Sequence, residues 1–202
     1  MKAKLLAITA FLAVSLWSAV AGAAAIVGHT APNFTATDSN GHAVSLSSYK
    51  GKSVVLEWMN PDCPFTQEHY RSGVMQSLQQ DASDTGDVWL TINTAAANSA
   101  SARSAPALNA WLEEMKSSPT ALLIDSGAAV AKLYGAKTTP HMFVVDPDGI
   151  LIYAGAIDDK RSVALEAMKV AHNYVRAALN ESLDGKPVAT ASTQPYCCPV
   201  EY

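Results

Sequence analysis

Apolar and polar positions change period several times along the chain, and each change marks an element. Ser53 to Met59 is a nearly continuous apolar run bounded by Lys50-Gly51-Lys52 and Asn60-Pro61-Asp62, which predicts a short strand buried on both faces. Val88 to Ile92 and Ala121 to Ile124 read the same way. Between these strands the period is helical. Phe65, Tyr70, Val74, Met75 and Leu78 share one side of a helix opening at Pro64, and Leu108, Trp111, Leu112 and Met115 form one stripe across Ala105 to Met115. Ala128 to Tyr134, closed by Gly135, predicts a further short helix. Phe34 to Tyr49 alternates loosely around the turn Asp38-Ser39-Asn40-Gly41, the pattern of an edge hairpin ahead of the core. Met142 to Val145 and Leu151 to Ala154 flank Asp146-Pro147-Asp148-Gly149 and predict a second hairpin. One long helix is expected from Ser162 to Leu183, with Leu165, Met168, Ala171 or His172, Val175 and Leu179 inward and Gly185 as its stop. The order β-α-β-α-β-α-β-β-α predicts an α/β fold, a mixed parallel and antiparallel sheet with helices on both faces.

The first 25 residues stand apart from this pattern. Lys2 and Lys4 precede an apolar stretch from Leu5 to Val20 and a run of small residues, the layout of a secretory signal peptide. Cleavage after Ala21, Ala23 or Ala25 satisfies the small-x-small rule, and Ala23 or Ala25 is favoured. The apolar run is shorter than the roughly 20 residues a membrane-spanning helix needs, so no stable membrane anchor is expected. The organisation is then residues 1–25 as signal, 26–184 as one domain and 185–202 as a tail, in an exported, periplasmic or secreted protein. With 14 Lys+Arg facing 18 Asp+Glu and no basic run, the chain lacks the phosphate-neutralising surface that nucleic-acid binding requires. Three cysteines among 202 residues, none in a C-x-x-C pair, are too few for a disulfide-framed miniprotein and form no structural zinc site. An oxidising compartment nevertheless makes each thiol worth reading singly.

Cys63 follows a buried strand and precedes Pro64, a residue suited to the first turn of a helix because its missing N–H leaves nothing unpaired. A sulfur at a helix N-terminus meets free amide N–H groups and the positive end of the helix dipole. Both favour the thiolate and lower its pKa from about 8.5. Trp58 and Phe65 bracket Cys63 as candidates for an apolar rim that receives a substrate, with core packing the commoner use of both residues. Glu57, on the buried strand, is a candidate proton acceptor whose pKa burial would raise. His69 and His141 are expected as surface or helix-capping residues. The formal glycosylation triplets at Asn33 and Asn180 carry no reading.

The stretch APNFTATDSNGHAVSLSSYKGKSVVLEWMNPDCPFTQEHY resembles the opening of the alkyl hydroperoxide reductase/thiol-specific antioxidant, or redoxin, branch of the thioredoxin superfamily, and TTPHMFVVDPDGILIYAGAID resembles its second half. The shared features are G-x-x-A-P-x-F at Gly28 to Phe34, the Gly-Lys-x-Val-Val-Leu strand, the W-x-x-P-x-C-P turn, and Thr139-Pro140 where the superfamily carries a cis-proline facing the active cysteine. The resemblance spans residues 28 to 180. It implies a thioredoxin-like fold and a redox-active Cys63, with Pro140 at the active site and Pro64, Phe65, Thr66 and Thr139 beside the substrate.

The departures bear on the reaction. Thr66 stands where thioredoxin-type reductases place the second cysteine of Cys-x-x-Cys. Asn60 and Leu56 replace the threonine and proline of the peroxiredoxin pattern. Cys-Pro-Phe with a carboxyl-terminal cysteine is similar to a peroxiredoxin-like subgroup, and the tail here reads Tyr-Cys-Cys-Pro-Val-Glu-Tyr. The expected activity is thiol-disulfide exchange through Cys63, without cofactor or metal, on protein or small-molecule thiols and disulfides and with an external thiol reductant. Hydroperoxide reduction by the same thiolate is the alternative. A copper-handling or redox-silent binding protein, with Cys63, His141 and a tail cysteine as soft-metal donors, is the other. From Gly185 to Cys197 the chain reaches roughly 40 Å when extended at about 3.3 Å per residue, enough to bring a tail sulfur to Cys63. Cys198 fills the subgroup's tail position and is the expected resolving cysteine, with Cys197 spare; a floppy tail whose cysteines pair between molecules or not at all is the alternative.

Overall fold

The computed structural model describes residues 25–96, 98–99 and 101–202. Apart from Ala25, the expected export signal lies outside them. Seven strands form one mixed sheet: β1 (Thr35–Asp38), β2 (Ala43–Ser45), β3 (Val54–Trp58), β4 (Val88–Asn93), β5 (Ala121–Ile124), β7 (His141–Val145) and β8 (Leu151–Gly155), in the order β2-β1-β5-β4-β3-β7-β8. β3 lies near the centre, parallel to β4 and antiparallel to β7, with Trp58 opposite both Ile92 and His141. That position explains the nearly continuous apolar run, because every residue of β3 is buried, Glu57 included.

Alternation along β3 supplies two cores. Val54, Leu56 and Trp58 face a layer containing Phe34, Leu46 and the short helix α4 (Ala129–Tyr134). Val55 and Met59 face the helices α2 (Val74–Thr85), α3 (Ala105–Glu114) and α6 (Tyr174–Leu183) through Met75, Leu78, Leu108, Leu112, Val175 and Ala178. Removing each large side chain of this kind from water contributes about 1.5–3 kcal/mol.

Two expectations need correction. The helix predicted to run on from Pro64 is two helices, α1 (Pro64–Arg71) and α2, broken where Gly73 adopts a left-handed conformation with φ 81°. The break lets α1 present Thr66, His69 and Tyr70 inward, leaving Phe65 only half-buried. The single helix predicted over Ser162 to Leu183 is also two, α5 (Leu165–Lys169) and α6. Asn173 divides them, bridging back to Asp158 while its side chain accepts from Arg176 N at 2.9 Å as the cap of α6. Leu165, expected inward, is exposed.

The tail is docked from Ala191 onward. Ala154 N donates to Ala191 O at 3.1 Å and Thr193 N to Ala154 O at 3.2 Å. Further on, β9 (Cys198–Pro199) pairs antiparallel with β6 (Thr138–Thr139). Val200 then donates its N–H to Lys137 O at 3.0 Å and is buried with the first core.

Candidate active site

Asn60-Pro61-Asp62 turns the chain from β3 into α1. Asn60 Oδ1 accepts from Asp62 N at 2.9 Å, and Asn60 O accepts from Cys63 N at 3.1 Å. Gln67 Nε2 holds the turn through Pro61 O at 2.7 Å. Cys63 is therefore the N-cap of α1, in extended conformation (φ −78°, ψ 119°), with Pro64 opening the helix. Its side chain is 1% exposed and its thiol donates to Thr139 O at 2.9 Å. The Thr139–Pro140 bond is cis. Thr139 and Pro140 are buried, so the turn that presents this carbonyl is part of the core.

The β6–β9 pairing carries Cys198 to the same place. Cys198 is the register partner of Thr139, and it shares with Cys63 a surface cleft lined also by Asn60, Asp62, Ser101 and Glu201. Burial opposes ionisation of Cys63, but the Cys198 thiol and the backbone N–H groups of Thr66 and Cys198 outweigh it, so the Cys63 pKa lies below its ordinary value. Cys198 moves the other way: burial, then the hydrogen bond to Cys63 and its charge, push it up to about 12. Burial and the charges of Cys63 and Cys198 likewise raise Cys197. Cys197 adopts φ 99°, a left-handed conformation that a side chain disfavours. All three thiols are free.

The remaining predicted site residues divide. Pro64 is exposed, Phe65 lies with its ring edge-on to Tyr196 at 5.8 Å, and Thr66 is buried behind the sulfur with its hydroxyl unpartnered, as is that of Thr139. Trp58 forms no apolar rim. Its side chain points into the core against Tyr134 and Phe143, and Nε1 donates to Thr94 Oγ1 at 3.2 Å. Position in a β-strand decides this, since odd and even residues face opposite sides. Glu57 is buried on the other face, accepting from Tyr70 OH and Trp89 Nε1 at 2.8 Å and from Thr91 Oγ1 at 2.9 Å. Burial raises its pKa against those donors.

His141 and His69 are buried, contrary to the expectation of surface residues. His141 Nδ1 accepts from Lys137 N at 3.1 Å, and burial together with Lys137 lowers its pKa to about 3. Among the described residues, Cys63, His141 and the tail cysteines do not gather into a set of three metal donors. His69 lies on the inner side of α1 and pairs with the buried Asp158 at 3.0 Å. Asp158 and its neighbour Tyr196 escaped the sequence reading; the one signal was an aromatic residue beside cysteines in a polar tail.

A helix-capping cysteine held against the residue before a cis-proline, on a mixed sheet covered on both faces, defines a thioredoxin-like thiol protein. The AhpC/TSA family profile matches residues 27–154. The chain belongs to the AhpC/TSA family. It is 27% identical over 133 residues to the thiol-disulfide oxidoreductase ResA of Bacillus thuringiensis subsp. konkukian (strain 97-27), covering 62% of this chain and 67% of that protein. An uncharacterized conserved protein from Geobacillus kaustophilus superposes with a TM-score of 0.74 at 27% identity, over 88% of this chain and 92% of the other. The thioredoxin domain of a thiol-disulfide oxidoreductase from Bacteroides vulgatus shares the fold, with a TM-score of 0.53 at 21% identity over 71% and 96% of the two chains.

Proposed function

We propose that this protein is an exported thiol-disulfide oxidoreductase in which Cys63 attacks a substrate disulfide and Cys198 completes the exchange. The observation that carries the reading is the placement of Cys198 across from Thr139, the residue that holds the Cys63 thiol. Similarity to the ResA protein supports the same reaction class. Export rests on Lys2, Lys4, the apolar stretch after them and the small residues that end it.

The shifts of the two thiols order the steps. The Cys63 thiolate attacks one sulfur of R–S–S–R′, forming Cys63–S–S–R and releasing R′–S⁻. Cys63 has then lost its charge, and two of the causes that hold Cys198 protonated go with it. The Cys198 proton passes to R′–S⁻, and the Cys198 thiolate attacks Cys63 Sγ, giving the Cys63–Cys198 disulfide and R–S⁻. Two electrons have moved from the protein's sulfurs to the substrate's. An external dithiol returns them.

Disulfide reduction and peroxide consumption, measured side by side on wild type, Cys63→Ser and Cys198→Ser, test this. Disulfide turnover is abolished by Cys63→Ser, while Cys198→Ser arrests within the first turnover with the mixed disulfide on Cys63. Activity confined to the peroxide assay would establish the peroxidase alternative instead, and activity of Cys63→Ser in both assays would exclude this thiol altogether.

A further inference from the structure

Resting on the proposed role of Cys198, we infer that Tyr196, Asp158 and His69 form a buried clamp that positions the resolving cysteine by anchoring its tail to α1, the helix that Cys63 caps. His69 sits on the last turn of α1 and is fully buried, with Nδ1 2.8 Å from Phe65 O and Nε2 3.0 Å from Asp158 Oδ2. The Phe65 carbonyl only accepts, so Nδ1 carries a hydrogen. The two buried side chains thus satisfy one another through the Nε2–Oδ2 hydrogen bond, as buried polar groups must.

The other carboxylate oxygen is turned toward the tail. Asp158 Oδ1 accepts from Lys160 N at 2.9 Å and from the Tyr196 hydroxyl at 2.6 Å, and that hydroxyl also lies 2.8 Å from Lys160 O. The Tyr196 ring is buried, packed edge-on against Phe65 of α1 and covered by the Arg161 guanidinium at 5.6 Å. Phe65 and His69, one helical turn apart, thus hold the ring and, through Asp158, the hydroxyl of one tail residue. Two residues after Tyr196 comes Cys198, and two further on Val200 is fixed in the opposite core. Cys198 is therefore suspended between two anchors, one of them built on the helix that Cys63 caps.

This arrangement assigns the clamp to the second step alone. Attack by Cys63 on an incoming disulfide uses the N-terminus of α1, whereas attack by Cys198 on Cys63 Sγ depends on how often the tail sulfur stands in line with that bond. Losing the hydroxyl leaves the ring packed and removes its hydrogen bond to the Asp158 carboxyl, which lowers the population of the productive tail position by about tenfold.

The test is a single-turnover reaction with a stoichiometric aromatic disulfide that releases one coloured thiolate when Cys63 attacks and a second when Cys198 resolves. Tyr196→Phe is compared with its parent, both carrying Cys197→Ser so that one tail thiol remains. The expected result is an unchanged first release and a second release slowed at least about tenfold, the unchanged first release showing that Cys63 and α1 are intact. An unslowed second release overturns the clamp, and so does equal slowing of both, which would mean that the network supports α1 rather than the tail. Asp158→Asn serves as the second variant and must show the same split. If the parent itself gives only one release, it is the resolving role of Cys198 that fails.

Discussion

Cys198 stands across the β6–β9 ladder from Thr139, and the carbonyl of Thr139 accepts the thiol of Cys63 at 2.9 Å. One backbone residue thus fixes both sulfurs. A thiol fixed in this way influences its partner before any bond forms, and the Cys198 thiol is the foremost of the groups that lower the Cys63 pKa.

Replacing Cys198 by Ala should therefore raise the Cys63 pKa. Iodoacetamide alkylation of Cys63 followed against pH is the measurement, with an expected wild-type midpoint below about 8.5 and a higher one in the variant. The same shift has a stability consequence in the reduced protein. An acid whose pKa is lower folded than unfolded adds stability above the unfolded value, and that contribution is lost as pH falls through the folded value. The difference in urea midpoint between wild type and Cys63→Ser should accordingly grow from neutrality toward about pH 8.5. A flat difference would mean that the thiolate is not stabilised by the fold.

The docked tail makes a second prediction, at a glycine. Thr193 lies so close to Gly155 that a Cβ there would come within 2.7 Å of Thr193 O and 2.8 Å of Thr193 N. Backbone cannot yield as a flexible side chain can. The contact also holds Thr193 Oγ1 where it accepts from Ala156 N at 2.9 Å and meets Tyr153 OH at 2.6 Å. Gly155→Ala should loosen the tail at a cost of about 1–3 kcal/mol, slow formation of the Cys63–Cys198 disulfide, and expose the peptide around Thr193 to limited proteolysis. A variant as protease-resistant as wild type would show that the tail docks elsewhere.

What the sequence made legible follows from the range over which each signal acts. The strands β3, β4 and β5, both hairpins and the cap at Cys63 are written in adjacent residues, as apolar runs, turn dipeptides and a proline after a cysteine. The cis bond at Pro140 came only from resemblance, since nothing local distinguishes Thr-Pro in its cis and trans forms. The clamp was not legible at all. His69 meets Asp158 across 89 positions, and Tyr196 meets Asp158 across 38. Charged and aromatic residues so far apart carry no periodicity that announces their pairing. The two long helices failed for the opposite reason: the apolar stripe continues across Gly73 and Asn173, and only the backbone at those residues, left-handed in one and bridged to Asp158 in the other, divides it.

Glu57 supplies the last prediction. Its carboxylate is fully buried beneath α1, where Tyr70 OH, Trp89 Nε1 and Thr91 Oγ1 all donate to it. These donors suit an ionised acceptor, yet burial is the larger influence and the pKa is raised. A carboxyl that binds its proton more tightly folded than unfolded costs stability as pH rises. Below the unfolded value, about 4.3, both states are protonated and nothing is lost; above it the unfolded chain ionises first and draws the equilibrium toward itself, until pH passes the folded value. Glu57→Gln removes that dependence, though its amide N–H₂ replaces an acceptor with a donor among three donors and lowers stability at every pH. The variant's urea midpoint should therefore lie below that of wild type at pH 4, with the gap narrowing toward neutrality. A gap that widens with pH would mean that the three donors outweigh burial and that Glu57 is held as the carboxylate.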